Sequence, residues 1–280
     1  MHASCLCGDV TWEAGPPFER MHHCHCGRCR KAHGTAFATY AGVPVERFEL
    51  RGAEHVAAWE SAPGLRRAFC RRCGSVVPGQ VTAEMAYFPC GNFDGHPGVP
   101  VLAHIFVASK APWHEITDAL PRFDAYTPGF DAPELKDRVL PPARSGVARG
   151  SCLCDAVAFE IEGPPILCRN CHCGRCRRAR SAAHASNLGV RLDQLRFARG
   201  EAKLASYKVP EAERFTQTFC ATCGAKMPRT DAARGIAIVP MGALDDDPGA
   251  RPGEHIFVAD KAPWFEITDA LPQHAAYAPT

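Results

Sequence analysis

No stretch of the sequence is apolar for long enough to cross a bilayer, which takes about 20 consecutive predominantly apolar residues. The opening residues Met1-His2-Ala3-Ser4-Cys5 carry neither a basic segment nor an apolar core. The expectation is therefore a chain without an export signal, working in the cytoplasm. Charge of one sign is missing too: 32 Lys and Arg against 30 Asp and Glu leave a formal net charge of +2. That balance gives no electrostatic case for a polyanionic partner, and no basic stripe interleaved with aromatics speaks for nucleic acid. There is no G-x-x-x-x-G-K-[ST], no G-x-G-x-x-G behind a strand pattern, no H-E-x-x-H and no G-x-S-x-G. Nucleotide-dependent and serine-hydrolase chemistries lose their sequence support with them.

What the chain does have is cysteine, 16 in 280 residues. With no export signal these are expected as reduced thiols, which favours metal binding over disulfides. They fall into a repeat. Ser4-Cys5-Leu6-Cys7 returns as Ser151-Cys152-Leu153-Cys154, and Phe69-Cys70-Arg71-Arg72-Cys73-Gly74 as Phe219-Cys220-Ala221-Thr222-Cys223-Gly224. His104-Ile105-Phe106-Val107 returns as His255-Ile256-Phe257-Val258, and the run from Lys110 to Pro121 returns from Lys261 to Pro272. The offset drifts from 147 at Cys5 to 151 at Lys110, which calls for small loop insertions. A repeat this long is a whole domain. The reading is a first domain over 1–127, a Pro- and Gly-rich linker over 128–148 and a second domain over 149–280. Within the linker, Pro133 to Leu140 could make two helical turns. The two copies are expected to pack as a pseudo-symmetric pair that mimics a homodimer, with the H-I-F-V and P-W-x-E-I-T-D segments at the shared face.

Alternating apolar residues predict strands over 9–13, 36–41, 47–51, 85–90, 156–160 and 237–241, and in the H-I-F-V segments. Only 28–33 and 175–180 read as short helices. Each copy is therefore expected to be a small, mainly antiparallel β domain built over metal sites.

Two cysteine constellations carry the chemistry. Cys5 and Cys7 with Cys70 and Cys73 form a C-x-C plus C-x-x-C-G set, matched by Cys152, Cys154, Cys220 and Cys223. Four thiolates close a tetrahedral zinc site, and Gly74 allows the tight turn beneath it. Joining segments 62 residues apart, such a site staples the domain. The second constellation is the trio Cys24, Cys26 and Cys29, matched by Cys171, Cys173 and Cys176. With the first set complete, each trio has three ligands. Either it holds a zinc with a vacant reactive position, or a fourth ligand elsewhere makes it structural. Three thiolates overcompensate a doubly charged ion, so such a site suits an incoming thiol better than it activates water. Arg28, Arg30 and Lys31, with Arg175, Arg177 and Arg178, could offset the negative site or hold a substrate carboxylate, or could form a solvated helical face. His25 and His172, in the middle of their C-x-C turns, point away from the metal and are read as support behind the ligands. His104 and His255 are read as core or interface residues. Cys90 and Cys168 default to apolar packing, although Cys168 could close the second trio.

The order C-x-C-G, C-H-C-x-x-C-R-K-x-x-G, F-C-x-x-C-G-S, H-I-F-V and P-W-x-E-I resembles the glutathione-dependent formaldehyde-activating family, which includes centromere protein V. The resemblance spans both halves and leaves out the linker. It implies a β-tent fold with two zinc ions per domain and four per chain. Its structural zinc pattern falls on Cys5, Cys7, Cys70 and Cys73, and its catalytic zinc pattern on Cys24, Cys26 and Cys29, with the equivalents in the second copy. It implies a carbon–sulfur lyase acting on a thiol or thiol adduct, with S-hydroxymethylglutathione formation as the named reaction. The alternative is a non-catalytic zinc module that binds protein or nucleic acid, as the centromeric relatives suggest. The second copy departs from the pattern at Asp155 (Gly8 in the first), Ser181 (Gly34) and His184 (Phe37). The two pockets are therefore expected to differ.

Overall fold

The computed structural model describes residues 1–129 and 138–279, so most of the two-turn helix expected from Pro133 lies outside the described residues. The chain is mainly β, in two similar sheet-rich halves. Each half has a six-stranded mixed sheet, flanked by a three-stranded antiparallel sheet and a hairpin that carries the C-x-x-C-G turn. In the first half the flanking sheet joins His2–Ser4, Thr11–Ala14 and Phe48–Arg51, and the hairpin joins Val56–Ala62 to Leu65–Cys70. The second half repeats this with Val147–Ser151, Ala158–Glu162 and Leu195–Arg199, then Leu204–Lys208 with Thr216–Cys220. The expected strands are present, with ends shifted by a few residues. The two short helices are Gly27–His33 (α1) and Gly174–Arg180 (α2).

The H-I-F-V segments end as strands after Ile105 and Ile256, because Phe106 and Phe257 turn into the left-handed region at φ 59° and 57°. Before that break, Ala103–Ile105 runs parallel to Glu19–Cys24 with His104 beside His23 and Ile105 beside Cys24. That pairing fixes what stands next to the cysteine trio.

Each core is organised by rings and small residues. In the first half Phe18, Phe88 and Phe93 meet edge-to-face, and Phe48 stacks on Phe88 at 6.0 Å. Trp12 and Phe88 are fully buried, so truncating either to alanine would cost about 3–5 kcal/mol. The second core uses Phe159, Leu188, Met227 and Met241 instead.

The halves meet through reciprocal contacts. Gly91 lies so close to α2's end that a Cβ there would fall 1.9 Å from the Ala182 nitrogen, and one on Gly242 would fall 2.3 Å from the Thr35 nitrogen. Only glycine permits that approach of two backbones. Lys226, fully buried, donates to the carbonyls of Ala32 (2.9 Å) and Gly74 (2.6 Å) in the first half and of Gly224 (2.8 Å) in its own, so two of its three bonds cross between the halves. The repeated P-W-x-E-I-T-D segments touch through their threonines, with Thr117 Oγ1 2.5 Å from Thr268 Oγ1.

Candidate metal centres

Four groups of cysteine sulfurs converge, the atoms of each lying within 4.8 Å of one another: Cys5, Cys7, Cys70 and Cys73; Cys152, Cys154, Cys220 and Cys223; Cys24, Cys26 and Cys29; Cys171, Cys173 and Cys176. No group mixes residues of the two halves. All 16 cysteines are free thiols, and each of these four clusters could hold a metal ion. In the four-cysteine groups, the turn after Ser4 brings Cys5 and Cys7 to the end of the hairpin strand carrying Cys70. Gly74 and Gly224, at φ 73° and 71°, close the C-x-x-C turns. Backbone N–H groups point at sulfur, Val10 to Cys5 at 3.3 Å and Val157 to Cys152 at 3.2 Å. Such donors favour thiolate, the form a metal takes.

The trios lie where a strand ends and a helix starts. Cys24 closes the strand Glu19–Cys24, Cys26 is the N-cap of α1, and Cys29 sits in its first turn. The Cys26 sulfur accepts from the Cys29 N–H at 3.4 Å, as Cys173 does from Cys176. The neighbouring thiols Cys24 and Cys29 donate to Cys26 and hold it well below the usual thiol range despite burial. In the second trio, Cys171 and Cys176 hold Cys173 down at about 3. Each trio thus has one member whose thiolate is favoured by the other two. Donor chemistry and spacing both suit a soft divalent ion.

The two trios differ in burial. Cys24, Cys26 and Cys29 are 8%, 2% and 3% exposed and share a small apolar cluster with Ala38 and Phe106, flanked by Tyr40, Ile105 and Tyr126. Cys173 and Cys176 are half-buried. Tyr126 packs edge-on against Phe106 at 4.7 Å, and Tyr277 does the same to Phe257. The left-handed φ of both phenylalanines is an unusual conformation for a bulky residue, held here beside the trio in each half.

Cys168 does not join the second trio. Its sulfur packs 3.3 Å from Met241 Sδ, and its offset of three residues from Cys171 puts it on the opposite face of the strand Leu167–Cys171. Cys90 is fully buried, with its thiol pushed up by desolvation. The cations after the trios divide. Lys31 is drawn away from the pocket, into an ion pair with Asp245 (2.7 Å) and bonds to the Ser151 carbonyl (2.8 Å) and hydroxyl (3.0 Å) of the other half. Arg178 pairs with Asp94, Arg28 donates to the Ser61 carbonyl at 3.2 Å, and Arg175 is exposed. Arg177 is half-buried near Cys173.

His25 and His172 stay out of the metal clusters and start a relay. His104 Nε2 lies 2.9 Å from Asp118, so that nitrogen carries the proton and Nδ1 accepts from His25 Nε2–H at 2.8 Å. His172, His255 and Asp269 repeat it at 2.8 and 3.0 Å. These rings belong to a buried group that also holds His23, His114, His184, Phe37 and Phe265. Burial pushes His114 and His172 down to about 3, so both are neutral. Where the first half places Phe37 and His114, the second places His184 and Phe265. At the other departures the backbone is preserved: Asp155 and Ser181 keep the left-handed φ, 63° and 54°, of Gly8 and Gly34. Ser181 is held there by its hydroxyl, which donates to the Val76 carbonyl at 2.8 Å.

Sequence reasoning missed Arg67, Tyr40, Arg180 and Lys226. Arg67 and Lys226 reach partners distant in sequence, and Arg67 and Arg180 occupy non-equivalent positions of the repeat.

A β domain built twice over a four-cysteine cluster and a three-cysteine cluster defines a tandem cysteine-rich, metal-site class. The sequence model of the glutathione-dependent formaldehyde-activating enzyme family matches residues 1–109 and 147–260, and the chain belongs to that family. A crystal structure of a Rhodobacter sphaeroides protein is 29% identical, covering 37% of this chain and 97% of that one, with a TM-score of 0.30. No curated protein matches the chain. No helix among the described residues is long and apolar enough to cross a membrane.

Proposed function

We propose that the chain is a zinc-dependent carbon–sulfur lyase acting on a thiol adduct, similar in chemistry to S-hydroxymethylglutathione formation. Cys5, Cys7, Cys70 and Cys73, and Cys152, Cys154, Cys220 and Cys223, would hold two structural zinc ions. Cys24, Cys26 and Cys29, and Cys171, Cys173 and Cys176, would hold two catalytic ones. The observation that carries this reading is the asymmetry of the clusters: among the described residues, no further Cys, His, Asp or Glu atom joins either trio. Three ligands leave the position that catalytic zinc sites keep vacant.

Zinc held there would lower the pKa of a substrate thiol and favour its thiolate. The protein supplies the rest. Phe106, Tyr40, Ile105 and Tyr126 wall the first trio and exclude water from it. In the forward direction the thiol sulfur forms a bond to the aldehyde carbon, the carbonyl π pair moves to oxygen, and the thiol proton ends on that oxygen. The reverse step breaks the same bond. The fused halves are proposed to act as one unit, because α1 of the first half is tied to the second through Lys31 and Lys226.

Formaldehyde also adds to thiols spontaneously, so the test is acceleration. In NMR exchange between a free thiol and its hydroxymethyl adduct, the zinc-loaded chain should speed exchange above the uncatalysed rate, and C26S/C173S should return it to that rate. Full activity in the double variant would overturn the enzyme reading in favour of a non-catalytic binding module.

A further inference from the structure

The two trio pockets are not copies in their charge. In the first, the neighbouring cation is Arg67, three residues before Cys70 on the strand Leu65–Cys70. Its Nε is buried without a hydrogen-bond partner, and its terminal nitrogen reaches the Tyr40 hydroxyl only at 3.5 Å. Tyr40 in turn lies 2.8 Å from His33 Nε2, and His33 Nδ1 lies 2.7 Å from the Arg180 carbonyl. A carbonyl only accepts, so Nδ1 carries the His33 proton and Nε2 accepts from Tyr40. The donors therefore run one way, from Arg67 through Tyr40 and His33 to the other half. Tyr40 is thus left with its oxygen lone pairs toward Arg67.

In the second pocket Gln217 stands where the first has Arg67, as the hairpin registers Trp59 with Arg67 and Tyr207 with Gln217 indicate. The cation has moved to the end of α2, where Arg180 replaces His33. Arg180 is 7% exposed, bonds Asn187 Oδ1 at 3.2 Å and leaves a second terminal nitrogen buried without a partner. Its charge acts on Cys176 and Cys171, and that of Arg229, which stands where the first half has Gly79, also reaches this trio. Each pocket thus holds a guanidinium with unspent donors beside its cysteines, brought in from a different element. Three thiolates on a divalent ion leave one net negative charge, and an incoming thiolate doubles it. A neighbouring cation with free donors suits that load, and a guanidinium suits a carboxylate.

We infer that Arg67 and Arg180 are the positioning residues for an anionic thiol adduct, and that the second pocket takes the more highly charged thiol while the first takes a singly charged or neutral one. This rests on the lyase reading, and deepens it by naming the charge class of substrate for each pocket.

The test is isothermal titration of the zinc-loaded full chain with mercaptosuccinate, a dianionic thiol, and with neutral 2-mercaptoethanol. The wild type should take mercaptosuccinate at two unequal sites. R180Q should weaken the tighter one roughly 10- to 100-fold, the range for losing a charged hydrogen bond, and R67Q should weaken only the other. Binding of 2-mercaptoethanol should change less than about threefold in either variant, and R67K should recover part of the loss. Zinc content and thermal midpoint serve as controls for folding, and R67M stands in if R67Q fails to fold. Mercaptosuccinate binding unchanged in both variants would overturn the assignment, as would equal loss of the anionic and neutral thiols. A wild type that takes up no thiol at all would instead sink the lyase reading itself, and this inference with it.

Discussion

Replacing Lys31 by methionine strands a buried carboxylate. The Lys31 side chain is 14% exposed and Asp245 6%, their charged atoms are 2.7 Å apart, and they belong to different halves. Breaking a buried pair from one side costs about 3–5 kcal/mol, because the remaining charge has lost its nearest counterion. Here the lower end applies. Without Lys31, Asp245 still accepts from the Ser151 hydroxyl at 2.6 Å and keeps the Arg138 guanidinium at 3.7 Å; without Asp245, Lys31 still has the Ser151 and Ala243 carbonyls. K31M and D245L should each cost about 3 kcal/mol. The double variant K31M/D245L should cost only about 1–2 kcal/mol, since apolar side chains of similar volume remove both desolvation penalties together. The coupling, about 4–5 kcal/mol, is read from urea unfolding of the metal-loaded chain at pH 7. Single variants that each cost less than about 1 kcal/mol, or a double that costs the sum of the singles, would refute the claim that this pair holds the halves together.

Acid should destabilise the protein through its buried imidazoles. His114 is held at about 3 by burial, against an ordinary value of 6.5, so its folded pKa lies below its unfolded one. The stability it allows is complete above pH 6.5 and is lost as pH falls toward 3, at about 1.4 kcal/mol per pH unit, because only the unfolded chain takes up the proton. H114F, which copies Phe265, should flatten the pH dependence of urea stability between about pH 6 and 4.5 by up to that slope; an unchanged slope would contradict it. G224A should cost about 2–4 kcal/mol by thermal melting, since it combines a left-handed φ of 71° with a Cβ 2.4 Å from the Phe69 ring. G64A, with φ 73° and no neighbour within 4 Å, should cost only the conformational part, about 1–2 kcal/mol. C70S should lose one metal ion and unfold the first half, whereas C26S should lose one ion and keep the fold, as metal analysis with circular dichroism would report.

The cysteine clusters were legible in sequence because their spacing is short and repeated: C-x-C and C-x-x-C turns leave few ways to point the sulfurs. The helices and most strands were legible for the same local reason, through period and Gly/Pro punctuation. The H-I-F-V run read as strand throughout, and its alternation gave no warning that Phe106 and Phe257 would turn left-handed. Cations were the hardest to read. Lys31 follows Cys29 closely and looked like a site residue, yet its length lets it reach the other half. Arg67 lies 38 residues beyond Cys29 in sequence, and only the fold brings its charge to the trio. Arg180 looked like another residue of a basic helix end. The histidine relay was half legible: His25 and His104 were read as support and core, but their shared proton path to Asp118 depends on a parallel strand pairing that no local pattern announces.

X-ray absorption at the zinc edge of the purified chain, with and without added thiol, tests the central claim most directly. The account predicts about four zinc ions per chain in all-sulfur coordination at roughly 2.3 Å, two of them gaining a sulfur when thiol is added. Four sites already complete with protein ligands and unchanged by thiol, or cysteines found as disulfides without metal, would contradict it.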